Sequence, residues 1–116
     1  MAKVGIPIFQ SRVSPVFDTC TRLLLITFEQ DREIERTEIY LDKLPLTERV
    51  NILRQLDVTV LICGGISDLL YNMLSNLKIR LITGIAGKAD QVFDAFISNH
   101  LHEPRFFMPG YKTETP

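Results

Sequence analysis

Val58-Thr59-Val60-Leu61-Ile62-Cys63-Gly64-Gly65-Ile66-Ser67 decides how this chain is read. A short β-branched, apolar run stops at a cysteine and two glycines, and a helical pattern follows at once. A run bounded this way reads as a strand buried on both faces, as in a parallel sheet. The glycine pair lets the backbone turn sharply and leaves room for something to approach it. Two readings fit the stretch. One is a ligand-binding strand–loop–helix junction, where main-chain N–H groups at a helix start meet an anion. The other is a βα turn that needs two small residues.

On the N-terminal side, Leu46, Val50, Leu53 and Leu56 recur at helical spacing, with Thr47, Glu48, Arg49, Arg54 and Gln55 on the other faces. Asp57 ends that helix. Before it, Lys3 to Phe9 is apolar enough for a central strand, and Pro7 within it predicts a bulge or irregularity. Gln10 to Cys20 is polar, carries Ser11, Ser14, Pro15 and Asp18, and reads as a long loop, a length often reserved for function. Arg22 to Glu29 predicts a second strand buried on both faces. After the tight connection Gln30-Asp31-Arg32, Glu33 to Leu41 is a charged third strand, suited to an edge that resists pairing with other chains.

On the C-terminal side, Ser67 to Asn76 predicts a second helix, capped by Ser67 or Asp68. Lys78 to Ile82 is a fifth strand, Thr83 to Gly87 a loop, and Ala89 to Asn99 a third helix presenting Ala89, Val92, Phe93, Phe96 and Ile97. The order β-β-β-α-β-α-β-α predicts an α/β fold with a mixed five-stranded sheet and three helices. Residues 1–103 form one domain, and 104–116 an irregular, partly disordered tail.

The 116 residues suit one core, with 46% hydrophobic and 23% charged residues. A formal net charge of −1 gives no electrostatic reason to expect nucleic acid or an anionic membrane. No apolar run approaches the roughly 18–20 residues of a membrane span. The first residues lack the long apolar stretch and small-residue cleavage site of a secretory signal, so a cytoplasmic location is the expectation. Cys20 and Cys63 belong to no C-x-x-C motif, and free cysteine is commonly a buried packing residue. Lys88 follows Gly87, but the spacing of a phosphate loop is absent. His100 and His102 sit two apart, a spacing that puts them on different faces of a helix.

Three motifs recur in order: Arg12-Val13-Ser14-Pro15-Val16-Phe17-Asp18 before a strand, Cys63-Gly64-Gly65-Ile66-Ser67 after one, and Thr83-Gly84-Ile85-Ala86-Gly87-Lys88 before a helix. In this order the chain, from about Lys3 to Leu101, resembles the dinitrogenase iron–molybdenum cofactor biosynthesis family, which includes NifX-like proteins and the C-terminal domain of NifB-like proteins. The resemblance implies a three-layer ribonuclease H-like fold with strand order 3-2-1-4-5 and strand 2 antiparallel. It implies binding or carriage of iron–sulfur or iron–molybdenum cluster precursors rather than catalysis. Members that bind cofactor often carry a His-Phe-Gly pattern where Val16-Phe17-Asp18 stands, so no histidine ligand is carried over. The first strand has no acid, which argues against nuclease chemistry on such a fold.

That strand order brings the 10–20 loop, Cys63-Gly64-Gly65 and Thr83 to Lys88 around one crevice, the usual ligand position in α/β sheets. Candidate ligand-binding residues are Ser14, Asp18, Gly64, Gly65, Ser67, Gly84 and Gly87. Cys20 and Cys63 would lie two strand spacings apart, about 10 Å, too far for a disulfide but within reach of an iron–sulfur cluster. They are the candidate metal ligands. The expected partners are a metal cluster or small anion and a protein of cofactor assembly, the chain itself being a monomer or weak homodimer. The competing expectation is a metal-free interaction module that uses the crevice or the apolar tail Phe106-Phe107-Met108.

Overall fold

The structure, a computed structural model, describes residues 2–109. Its order is β1 (Ala2–Phe9), β2 (Arg12–Val13), β3 (Arg22–Glu29), β4 (Arg32–Tyr40), α1 (Leu46–Gln55), β5 (Val60–Ile62), α2 (Asp68–Ser75), β6 (Arg80–Ile82), α3 (Ala89–Ile97) and a 3₁₀ turn, Pro104–Phe106. The α/β class with three helices and a mixed sheet holds. The sheet has six strands rather than five, in the order β4-β3-β1-β5-β6 with β2 paired to β1 off that path. The added strand is two residues of the expected loop, folded back so that Val13 lies opposite Ile8 and Arg12 opposite Phe9. β3 runs antiparallel to both β1 and β4, whereas β1, β5 and β6 are parallel.

The sheet is central because its strands are apolar on both sides. In β3, Leu24 and Ile26 join one core while Leu23 and Leu25 join the other; in β5, Val60 and Ile62 are divided from Leu61 in the same way. That is the two-residue alternation of a strand with both faces covered. Helix α3 covers the first face with Ala89, Val92 and Phe93. Helices α1 and α2 cover the second with Val50, Leu53, Leu70 and Leu74. Phe28 adds edge-on ring contacts to Phe93 and Phe96, centroids 6.0 and 5.8 Å apart. Strand β4 is an edge, exposed along nearly its whole length. Its hairpin closes on Gln30 and Asp31, both at positive φ as a two-residue turn demands. Among the described residues no helix is long and apolar enough to cross a membrane.

Packing bears on three of these expectations. Pro7 makes no bulge: the β1–β3 register runs through Pro7↔Leu23, and the irregularity falls at Thr27/Phe28. The Pro7 carbonyl accepts from Ser14 N–H on the side away from β3, so the missing proline N–H costs that ladder nothing. The tail is docked as far as it is described. Phe106 is in the first core, Phe107 bridges Ile85, and Met108 N–H donates to Gly84 O. The rest of the expected tail, 110–116, lies outside the described residues.

Arg49, placed by its polarity on an outer face of α1, is only 4% exposed. Its guanidinium donates from Nε to Leu44 O (2.9 Å), from Nη2 to Leu41 O (3.0 Å) and from Nη1 to Cys20 O (2.6 Å) and Phe17 O (3.3 Å). Among the described residues no carboxylate shares the site; carbonyl dipoles from two loops carry the charge. Arg49 thereby ties the end of the 10–20 loop to the segment entering α1. Removing it strands several carbonyls in the interior, each at roughly 1–3 kcal/mol when left unsatisfied. Arg49→Ala is expected to lower unfolding stability by about 3 kcal/mol, measured by urea denaturation, against less than about 0.5 kcal/mol for the exposed Arg54→Ala.

Candidate functional site

Because β1, β5 and β6 are parallel, their carboxyl ends open on one edge of the sheet. The three loops picked out in the sequence do meet there. They are laced to one another by main-chain bonds rather than spread around an open crevice. Gly65 N–H donates to Pro15 O (2.6 Å) and Phe17 N–H to Gly65 O (2.9 Å), making a parallel bridge between Val16 and Gly65. Gly84 N–H donates to Gly64 O (2.9 Å), Val13 N–H to Gly87 O (2.9 Å) and Ala89 N–H to Ser11 O (2.8 Å).

The glycines are explained by this lacing. A Cβ on Gly64 would stand 2.7 Å from Ser14 O and 2.9 Å from Pro15 O, and one on Gly65 3.0 Å from Pro15 O. Both distances for Gly64 are shorter than side chains tolerate, and the obstacle is backbone that cannot swing away. Gly84 (φ 76°) and Gly87 (φ 130°) occupy left-handed conformations that glycine alone adopts cheaply. Ser14 is buried and spends its hydroxyl on Val16 O.

The start of α2, where an anion was expected, receives the chain's own carboxylate. Asp18 accepts from Ser67 N–H (2.9 Å) and Ser67 Oγ (2.5 Å), and Ser67 Oγ accepts from Leu70 N–H as the helix cap. Asp18 and Ser67 are therefore brought together, with their hydrogen bonds directed at each other.

Cys20 and Cys63 lie in the same core, 5% and 0% exposed. Loss of hydration on burial pushes the Cys20 thiol up from 9.0 to about 11, against a partial pull downward from Arg49, whose Nη1 stands 3.5 Å from Sγ. Burial pushes Cys63 to about 12, reinforced by Cys20 and Asp18. A metal takes thiolate, so one held here would have to displace the protons of two thiols that burial makes harder to ionise. Among the described residues no three His, Cys, Asp or Glu side chains gather as a metal-binding group. His100 and His102 fall beyond the end of α3, and His100 pairs with Glu103 instead (3.3 Å). As placed here, the donor set does not fit a cluster held by Cys20 and Cys63. A cleft of about 360 Å³ lies at this edge beside Phe9, Ser14, Pro15 and Cys20.

One pair was not visible in the sequence. Arg12 and Lys88 face each other across an antiparallel bridge where the first loop meets the third. Both are exposed, and neither has an ion-pair partner among the described residues. Seventy-six positions separate them, and only the fold of β2 against the loop before α3 joins them. No local spacing could have signalled it.

A mixed sheet covered on both faces, with three loops bound together at its parallel carboxyl edge, defines the class of domain. The profile of the dinitrogenase iron–molybdenum cofactor family matches residues 2–99, and the chain belongs to that family. Among curated proteins no relative matches. The crystal structure of the protein PH0822 superposes with a TM-score of 0.79 at 19% identity, over 84% of this chain and 89% of that one. A candidate dinitrogenase from Methanocaldococcus jannaschii gives 0.71 at 22%, again over 84% and 89%. A candidate NifB protein from Thermotoga gives 0.66 at 20%, over 99% and 100%. At such identities the likeness establishes the shared fold.

Two outcomes follow from this packing. Gly64→Ala is expected to cost about 1–3 kcal/mol, because backbone must move, whereas Gly5→Ala, whose Cβ meets side-chain methyls at 3.4 Å or more, costs less than about 1 kcal/mol. Thermal or urea unfolding of the two variants checks the contrast. The thiols set an alkaline limit. Their folded values are raised, so above pH 9.0 the unfolded chain loses protons that the folded chain keeps, and stability falls as pH rises toward 11 to 12. Below pH 9 this contribution is whole. Urea midpoints between pH 8 and 11 should decline, and less steeply in Cys63→Ala.

Proposed function

We propose that this chain is a non-catalytic cytoplasmic carrier of an anionic cargo, of the class of iron–molybdenum or iron–sulfur cluster precursors. The cargo rests on the edge where β1, β5 and β6 end. Membership of the family supports the class of cargo. The observation that carries the reading is the Arg12–Lys88 pair. Like charges directly opposite each other across a bridge are destabilising, and an anion between them turns the repulsion into attraction. Helix α3 begins immediately after Lys88, so its amide ends add to the same positive field.

In this reading charge holds the cargo and thiolate does not. Gly64, Gly65, Gly84 and Gly87 bind the loops together, with Ser14, Asp18 and Ser67 fastening them, so that the two cations are held on a firm base. Holding by charge suits a carrier, since a cargo without covalent ligation is readily handed on. The sheet order is compatible with the ribonuclease H-like arrangement that the family implies. A second reading, a metal-free interaction module, is favoured by Phe9 and Leu69, 60% and 62% exposed at this same end of the molecule.

Tetrathiomolybdate is a suitable probe, titrated calorimetrically under nitrogen at low ionic strength. Binding is expected to weaken at least about tenfold in the Arg12→Glu, Lys88→Glu double variant, and to weaken with added salt. Equal affinity in the double variant refutes the charge-held site. Loss of binding in Cys63→Ser alone would assign the cargo to thiolate instead. No binding to any form leaves the interaction module as the surviving reading.

A further inference from the structure

The two edges of the sheet are protected very differently. β4 is nine residues long and carries Arg32, Glu33, Glu35, Arg36 and Glu38 along an exposed edge. Charges placed this way discourage a foreign strand. β6, at the other edge, is Arg80-Leu81-Ile82, with Leu81 and Ile82 half-buried. Arg80 N–H donates to Thr59 O, and Ile82 O accepts from Cys63 N–H, so both residues turn their backbone toward β5. By alternation Leu81 turns its N–H and C=O to the open side.

A groove of about 550 Å³ runs beside this edge. Ile82, Phe96, Leu101 and Pro104 supply its apolar wall. Among the described residues Arg80 and His102 are its only ionisable lining residues, both exposed, and no carboxylate lines it. Neither has an ion-pair partner among the described residues.

We propose that the β6 edge and its groove receive an extended segment of a partner protein that alternates apolar and acidic side chains. The backbone rung at Leu81 pairs with the incoming strand, as in strand addition to a sheet edge. Apolar side chains of that strand enter the wall formed by Ile82, Phe96 and Leu101, and its carboxylates meet Arg80 and His102. The charge pattern selects this occupant over a second copy of the chain. Pairing two β6 edges would bring two Arg80 and two His102 to one seam with no acid from the described lining residues among them. The surface is distinct from the Arg12–Lys88 edge, so a cargo and a partner strand can be held at once.

The test uses the full-length protein, ¹⁵N-labelled, and a blocked six-residue peptide of alternating glutamate and valine. Saturable binding is expected, with the Leu81 amide shifting and its hydrogen exchange slowing. A peptide with lysine in place of glutamate should bind at least about tenfold more weakly, as should the glutamate peptide to Arg80→Glu, whose fold the same spectrum verifies. Equal binding of the two peptides, or full affinity in Arg80→Glu, overturns the proposal. So does a Leu81 amide already protected before peptide is added, which would give the edge to a second copy or to residues 110–116. Sedimentation at rising concentration tells those two apart.

Discussion

Main chain lies directly against main chain where Gly64 and Gly65 meet Ser14 and Pro15, and nothing bulkier than hydrogen fits between. Much of the molecule depends on that approach. It lets the Gly65 amide and carbonyl bond to the loop, which lays Phe17 into the second core and brings Asp18 to the start of α2. A residue with a side chain at position 64 would lift the loop, and with it the lid of that core. The glycine pair thus gives the protein a fourth piece of packing on the sheet's edge, made from a segment with almost no regular structure.

A loop without regular structure must still satisfy its polar groups, and Arg49 is how this one does so at its far end. The guanidinium offers donors in a fixed fork, and the loop and the α1 approach supply carbonyls to meet them. An interior cation usually demands a carboxylate. Here several partial charges substitute for one whole charge, which spares the core a second desolvated ion. The geometry also fixes the carbonyl of Cys20, and so the point at which β3 begins.

Most of the fold was legible because its strands are unambiguous. Leu23 to Ile26 and Val60 to Ile62 are apolar without alternation, which only a sheet covered on both faces explains. β4 announced itself as an edge by its charges. What escaped notice was short or non-local. β2 is two residues in a polar stretch, too brief for any periodicity. Arg49 has the polarity of a solvent-facing residue, and its Phe17 and Cys20 partners lie 32 and 29 positions away. At the site, the strand order that the family resemblance implies brought the three loops to one edge, though it lacked β2. Whether two glycines make room for a ligand or for the chain's own backbone depends on what occupies that room, and no local pattern records it. The cysteines are similar: residue type alone left packing and ligation open, and their depth in the second core is a property of the fold that no local pattern records.

The sheet divides the interior into two cores with no side chain in common. Substitutions on opposite faces touch different neighbours, so their effects on stability should sum, while those within one face interact. For descent with modification this is a form of modularity. One face can be repacked, step by compensating step, while the other stays intact and keeps the chain folded. A small domain built this way can lose most of its sequence likeness to its relatives and still keep the edge where its loops meet.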